Sequence, residues 1–64
     1  MKNRDIIRIL KDNNFNLVRS NGHSIYSNGI LSVAVPNHNE HSRGLARRIL
    51  QQAGFNKQFI QEIL

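Results

Sequence analysis

Two Asn-Gly pairs, Asn21-Gly22 and Asn28-Gly29, constrain this chain more than any other feature. Alternating apolar and polar residues flank both. Leu17-Val18-Arg19-Ser20 precedes the first pair, His23-Ser24-Ile25-Tyr26 lies between them, and Ile30-Leu31-Ser32-Val33-Ala34-Val35 follows the second. Asn-Gly supplies two consecutive residues that tolerate positive φ, as tight two-residue hairpin turns require. Two such turns in succession predict a three-stranded antiparallel meander over residues 15–20, 23–27 and 30–35. Pro36 should end the third strand, because it has no N–H to give to a ladder.

Helical periodicity brackets the meander. Asn3 is placed to cap a first helix whose buried stripe is Ile6, Ile7 and Leu10, with Arg4, Arg8 and Lys11 on the opposite face. Asn13-Asn14 should close it, since Asn tolerates the left-handed conformation of a helix terminus. Residues 37–43 are polar and read as a loop. A second helix over 44–53 would bury Leu45, Ala46, Ile49, Leu50 and Ala53 and stop at Gly54. Asn56 can cap a short third helix carrying Phe59, Ile60, Ile63 and Leu64. The predicted order is α-β-β-β-α-α, an α+β domain with its helices on one face of the sheet.

Two-residue turns also fix a register. Ser20 should oppose His23, Val18 Ile25, Tyr26 Leu31 and Ser24 Val33. The larger, more apolar face then carries Phe15, Leu17, Arg19, Ser24, Tyr26, Leu31, Val33 and Val35 and should meet the helices. Val18, Ser20, His23, Ile25, Ser32 and Ala34 would lie on the open face. A bulge near Gly22 would exchange the faces, because side chains alternate with period two.

With 64 residues, the chain is expected to form one domain over 1–64. A chain this short buries about 60% of the surface its unfolded form exposes, so its core is thin. A surface site working on a large substrate suits it better than a deep cofactor pocket. The lack of cysteine excludes a disulfide framework and the usual structural zinc sites, and fits a reducing cytoplasm. No apolar run approaches the roughly 18 residues of a membrane span, and Met1-Lys2-Asn3-Arg4-Asp5 has no apolar signal-peptide region. Nine Lys/Arg against four Asp/Glu give a formal charge of +5. That balance suits a polyanionic partner, either nucleic acid or an acidic protein competing for the same surface. The plain alternative is a charge kept for solubility.

His23 stands out because it follows the first turn directly. Histidine's ordinary pKa, about 6.5, lets it accept and donate a proton near neutrality. One well-placed imidazole on a surface that gathers phosphates suggests RNA chemistry, with His23 taking the proton of a ribose 2′-OH. The competing reading is a solvated turn residue. His38 and His41 follow Pro36 in the polar loop. His38 could donate to a phosphate or protonate a leaving oxygen, whereas His41 reads as a plain loop residue. A zinc site from His23, His38 and His41 is conceivable in chemistry but has no supporting carboxylate or thiolate pattern. A two-metal nuclease would need clustered carboxylates. Asp5 and Asp12 are explained more simply by helical pairing with Arg8. Arg4, Arg8, Lys11, Arg43, Arg47 and Arg48 are phosphate-binding candidates on helices, where backbone and 2′-OH contacts dominate recognition of helical RNA. Arg19 would join them from the sheet edge. Tyr26 could stack on a base but reads first as core.

Taken together, these segments resemble the HicA toxins, small RNA-cleaving proteins of bacterial toxin–antitoxin pairs. The resemblance runs over essentially the whole chain. It rests on the helix end Lys11-Asp12-Asn13-Asn14-Phe15, on a hairpin with Arg19, Asn21-Gly22-His23 and Tyr26, and on Val35-Pro36-Asn37-His38. A final helix carries Gly44, Arg47, Ile49, Leu50, Ala53 and Gly54. The family usually has glycine where this chain has Asn14, and Gly-Ser where it has Asn21-Gly22. Both asparagines can adopt positive φ, so the backbone expectation is kept. Leu45 stands where threonine is common. The resemblance implies a double-stranded-RNA-binding-domain-like fold and metal-independent, cofactor-free cleavage of mRNA. It implies His23 as the catalytic histidine, His38 as possible support, and Arg47 as the arginine of the helix motif. It also implies a HicB-type antitoxin covering His23, with the toxin monomeric when free, hetero-oligomeric with its antitoxin, and not membrane-bound.

Two other readings remain open. A non-catalytic RNA-binding module would depend on Lys/Arg and be indifferent to His23. A protein-interaction domain would dock an acidic partner on its basic face, and steep salt dependence would separate RNA binding from it.

Overall fold

Helix α1, Asn3–Asp12, ends in a way its sequence dictates. Asn14 takes a left-handed φ of 70°. Its N–H donates to Lys11 O at 3.1 Å, and the Phe15 N–H reaches back to Leu10 O at 2.9 Å. This is a Schellman closure, completed by apolar contact between the residues that its outer bond joins. Leu10 and Phe15 are both buried in the core cluster. The computed structural model, which describes residues 1–64, continues through β1 (Asn16–Asn21), β2 (His23–Ser27), β3 (Ser32–Pro36), α2 (Arg43–Gln52) and α3 (Lys57–Ile63). The predicted order of elements and the α+β class are those observed. The fold has a three-stranded antiparallel sheet, order β1-β2-β3, and three helices, consistent with the double-stranded-RNA-binding-domain-like architecture.

The core lies between the helices and one sheet face. Tyr26, Val33 and Val35 pack there with Ile6 and Leu10 of α1, Phe15, and Ala46, Ile49 and Ala53. Leu50 and Ile60 are buried as well. Helix α2 starts at Arg43 because the Ser42 hydroxyl accepts from the Leu45 N–H at 3.2 Å. Its end repeats the Schellman pattern at Gly54, φ 87°. The Asn56 side chain caps α3 as expected, accepting from the Phe59 N–H at 2.8 Å.

Gly54 is also the one glycine whose added side chain would meet a neighbour: a Cβ there would stand 2.9 Å from Leu31 Cδ1, the end of an exposed side chain that must shift. Gly54→Ala combines left-handed strain with that contact. It should destabilise the protein by about 1–2 kcal/mol in urea unfolding.

The register departs from expectation in two ways. The β2–β3 connection is a four-residue loop. Asn28 Oδ1 accepts from the Ile30 and Leu31 N–H groups at 2.9 and 2.7 Å, and the Asn28 N–H donates to Leu31 O at 3.2 Å. Tyr26 therefore opposes Val33, not Leu31, and Ser24 opposes Val35, not Val33. A shift of two residues keeps the faces, so Tyr26, Val33 and Val35 still point to the helices, while Leu31 leaves the ladder.

The second departure is a bulge in β1. Leu17 opposes Tyr26, but Arg19 opposes Ile25, Ser20 opposes Ser24 and Asn21 opposes His23, with Val18 as the additional residue. Beyond the bulge the parity of β1 inverts. Arg19 moves from the expected helix side to the open face, and Ser20 moves the other way. In the turn only Gly22 has positive φ, at 83°, while Asn21 does not. The whole of β1 is exposed, Leu17 included, because it is an edge strand that the helices do not cover.

Candidate nucleic-acid interface

Tyr26 fixes the parity of β2, which places His23, Ile25 and Ser27 on the open face. His23 stands at the end of the sheet, opposite Asn21 on one side and Pro36 on the other. It is exposed, and no hydrogen bond engages its ring. Arg19 is its diagonal neighbour on the same face, about 7–8 Å away across the strand pair.

Pro36 is tolerated because of where it falls. Counting from the Asn28–Leu31 bond, Tyr26/Val33 and Ser24/Val35 are the hydrogen-bonded pairs of β2 and β3. His23/Pro36 is a non-hydrogen-bonded pair, so the missing N–H faces the free edge of β3. The chain then folds back. Asn37 Nδ2 donates to Gly22 O at 2.8 Å, and Ser24 Oγ donates to Asn37 Oδ1 at 2.9 Å. The residue before His23 and the residue after it are thus both bonded to one amide.

The other two histidines separate in role. His38 is exposed in the loop, its N–H bonded to Pro36 O at 2.9 Å. His41, expected to be a plain loop residue, is instead buried, with 4% exposure. Its Nε2 lies 2.8 Å from Asn3 Oδ1 and its N–H donates to Met1 O at 2.8 Å. The Asn3 side chain is therefore not the cap of α1, whose N-cap residue is Lys2 with no side-chain hydrogen bond. Asn3 N–H donates to Asn39 O at 2.9 Å, and the backbones of Lys2 and Glu40 pair in an isolated antiparallel bridge, so residues 1–3 and 39–41 hold each other. His23, His38 and His41 do not come together as a metal-ligating set.

Burial holds the His41 pKa below its ordinary value, helped by the positive charges of His38 and the amino terminus. Its Nδ1 is buried without a partner, so a proton added there gains nothing. The unfolded chain then binds the proton more readily than the folded one. Stability should be complete above pH 6.5 and fall as the pH drops below that ordinary value towards the folded one. Thermal melts from pH 8 to pH 5 should show this slope, and His41→Gln should flatten it whatever it does to stability at pH 8.

All seven basic candidates are exposed: Arg4, Arg8, Lys11, Arg19, Arg43, Arg47 and Arg48. Helix direction sorts them. The start of α1 is bonded to the loop that leaves β3, and α2 begins from that same loop, so Arg4 and Arg43 share the end of the molecule that holds His23. Lys11, in the last turn of α1, lies at the opposite end, as does the end of α2 at Gly54, beside Leu31. Arg47 opens onto a cleft between α2 and α3 with Gln51, Phe55, Lys57 and Ile60. Arg8 pairs weakly with Asp5 at 3.4 Å on the surface. Tyr26 is core, as its first reading had it.

Residues 4–55 match the family described as the HicA toxin of bacterial toxin–antitoxin systems. No curated protein and no solved structure matches the chain. No helix is long and apolar enough to cross a membrane. The match takes in α1, the whole sheet and α2, and the chain belongs to the HicA toxin family.

Proposed function

We propose that this protein is the toxin of its pair by virtue of metal-independent, cofactor-free endoribonuclease activity on cytoplasmic mRNA, with His23 as general base. The observation that carries the reading is the exposed, unbonded imidazole of His23 on the open sheet face, with Arg19 beside it. His23 takes the proton of a ribose 2′-OH as O2′ attacks the adjacent phosphorus. The O2′–P bond forms and the P–O5′ bond breaks, leaving a 2′,3′-cyclic phosphate and a free 5′-OH. The leaving O5′ takes a proton from His38 or from water. Arg19 reaches the phosphate as negative charge builds on its oxygens. Arg4 and Arg43 hold the flanking backbone, and Arg8, Lys11, Arg47 and Arg48 extend the attraction more weakly. A HicB-type antitoxin would silence the monomeric toxin by covering His23 in a hetero-oligomer.

The test is cleavage of a long unstructured RNA in EDTA, by wild type and by folded His23→Ala. Cleavage that survives EDTA, leaves cyclic-phosphate ends and disappears in the variant is the expected result. RNA binding by both without cleavage by either would replace it with a non-catalytic RNA-binding module.

The cations at the His23 end make a separate expectation. Arg43→Gln should weaken RNA binding and lower the slope of log affinity against log salt by about 0.7, the value for one contact to a single strand. Lys11→Gln, at the far end, should lower the slope by less than Arg43→Gln does.

A further inference from the structure

We propose that Asn37 is a positioning residue: its side-chain amide holds the Gly22 carbonyl before His23 and the Ser24 hydroxyl after it, and so sets where the imidazole stands. The role in cleavage rests on the reading of His23 as the reacting base, while the clamp itself rests on geometry alone.

The hairpin tip needs a clamp. Gly22 has a left-handed φ of 83°, and a Cβ built there would meet nothing within 4 Å. On one flank β1 is exposed along its length and interrupted by its bulge, and on the other the ladder to β3 ends at Pro36. The imidazole makes no bond that would hold it from outside. Only Asn37 reaches this segment through a side chain, and it uses both ends of its amide. The NH₂ group donates to the carbonyl of Gly22 at 2.8 Å, and the oxygen accepts from the hydroxyl of Ser24 at 2.9 Å.

That pairing is specific to an amide of this length. An aspartate would set an acceptor against the Gly22 carbonyl, and an alanine would reach neither partner. The clamp is distant from the core, because Asn37 is exposed and both bonds are at the surface. Its loss should therefore loosen the turn without unfolding the protein. Small misplacement of a reacting group can cost about 10²-fold in rate, which gives such a clamp a function out of proportion to its bonds.

The experiment compares wild type, Asn37→Ala and Ser24→Ala, each alone and in the His23→Ala background. Backbone ¹⁵N relaxation should show order parameters at residues 22–24 falling from the rigid range near 0.85 towards 0.6 in Asn37→Ala, with the rest of the spectrum unchanged. Ser24→Ala, which breaks only one of the two bonds, should fall between. Turnover should drop about 10–100-fold in Asn37→Ala with KM held, and no further loss should appear once His23 is already alanine. Unchanged order at residues 22–24 overturns the clamp. A raised KM with turnover intact, or a further loss in the His23→Ala background, shows that Asn37 meets RNA directly and overturns the positioning role. If wild type does not cleave RNA, the nuclease reading falls by itself and the relaxation data alone decide whether Asn37 holds the turn.

Discussion

His23→Ala is expected to lower the rate of RNA cleavage by about 10²–10⁴-fold, the usual contribution of a positioned general base. The loss should fall on turnover. KM and the salt slope should hold, because the cations that meet the backbone are Arg19, Arg4 and Arg43, none of which bonds to the imidazole. Stability should be little altered, since the side chain is exposed and unbonded. That combination makes His23→Ala a clean variant: folded, able to bind, and chemically silent. His23→Gln, which keeps a polar side chain but no base, should be equally slow. Recovery of rate in His23→Gln would mean the residue only donates to the phosphate.

Phe15→Ala should have the largest effect on stability. Phe15 is 2% exposed, the largest of the fully buried side chains, and packs against Leu10 and Phe55, whose ring centroid lies 6.5 Å away. Truncating a buried phenylalanine costs about 3–5 kcal/mol. At roughly 0.05–0.15 kcal/mol per residue, a domain of this size has only about 3–10 kcal/mol in total. The variant should melt well over 10 °C below wild type or lack a cooperative transition, read by circular dichroism. Leu17→Ala is the matched comparison. Leu17 is 50% exposed on the edge strand, and its loss should fall within about 0.5 kcal/mol.

Element order was legible because it depends on local signals. The Asn-Gly pairs mark the turns, Asn56 marks a cap, and Asn14 and Gly54 mark helix ends with their own φ values of 70° and 87°. The register was less legible. Asn28 spends its side chain on Ile30 and Leu31 and lengthens the turn, a choice the Asn-Gly pair alone does not announce. The resulting two-residue shift left the faces intact, so the core triad of Tyr26, Val33 and Val35 stood where alternation put it. Nothing in the composition of Leu17-Val18-Arg19 signals a bulge, and strict alternation therefore puts Arg19 on the wrong face.

His23 as a candidate followed from its place beside the turn, and the structure leaves it exposed there. The roles of His41 and Asn3 are not legible in the sequence because each is the other's partner 38 residues away, a contact that periodicity does not encode. Asn37, between Pro36 and His38, carries no motif of its own. The usable signal was a short amide side chain immediately after a strand whose last residue faces the hairpin tip.

Because the bulge at Val18 adds one residue between Leu17 and Arg19, these two take opposite faces although they stand two apart. Substitution at Val18 should be tolerated widely. Deleting it would make the ladder regular, with Leu17 still opposite Tyr26, Arg19 opposite Ile25 and Asn21 opposite His23, so Arg19 would stay on the His23 side. Val18 is spare in the ladder, so a single-codon deletion there is a lesion the toxin should survive.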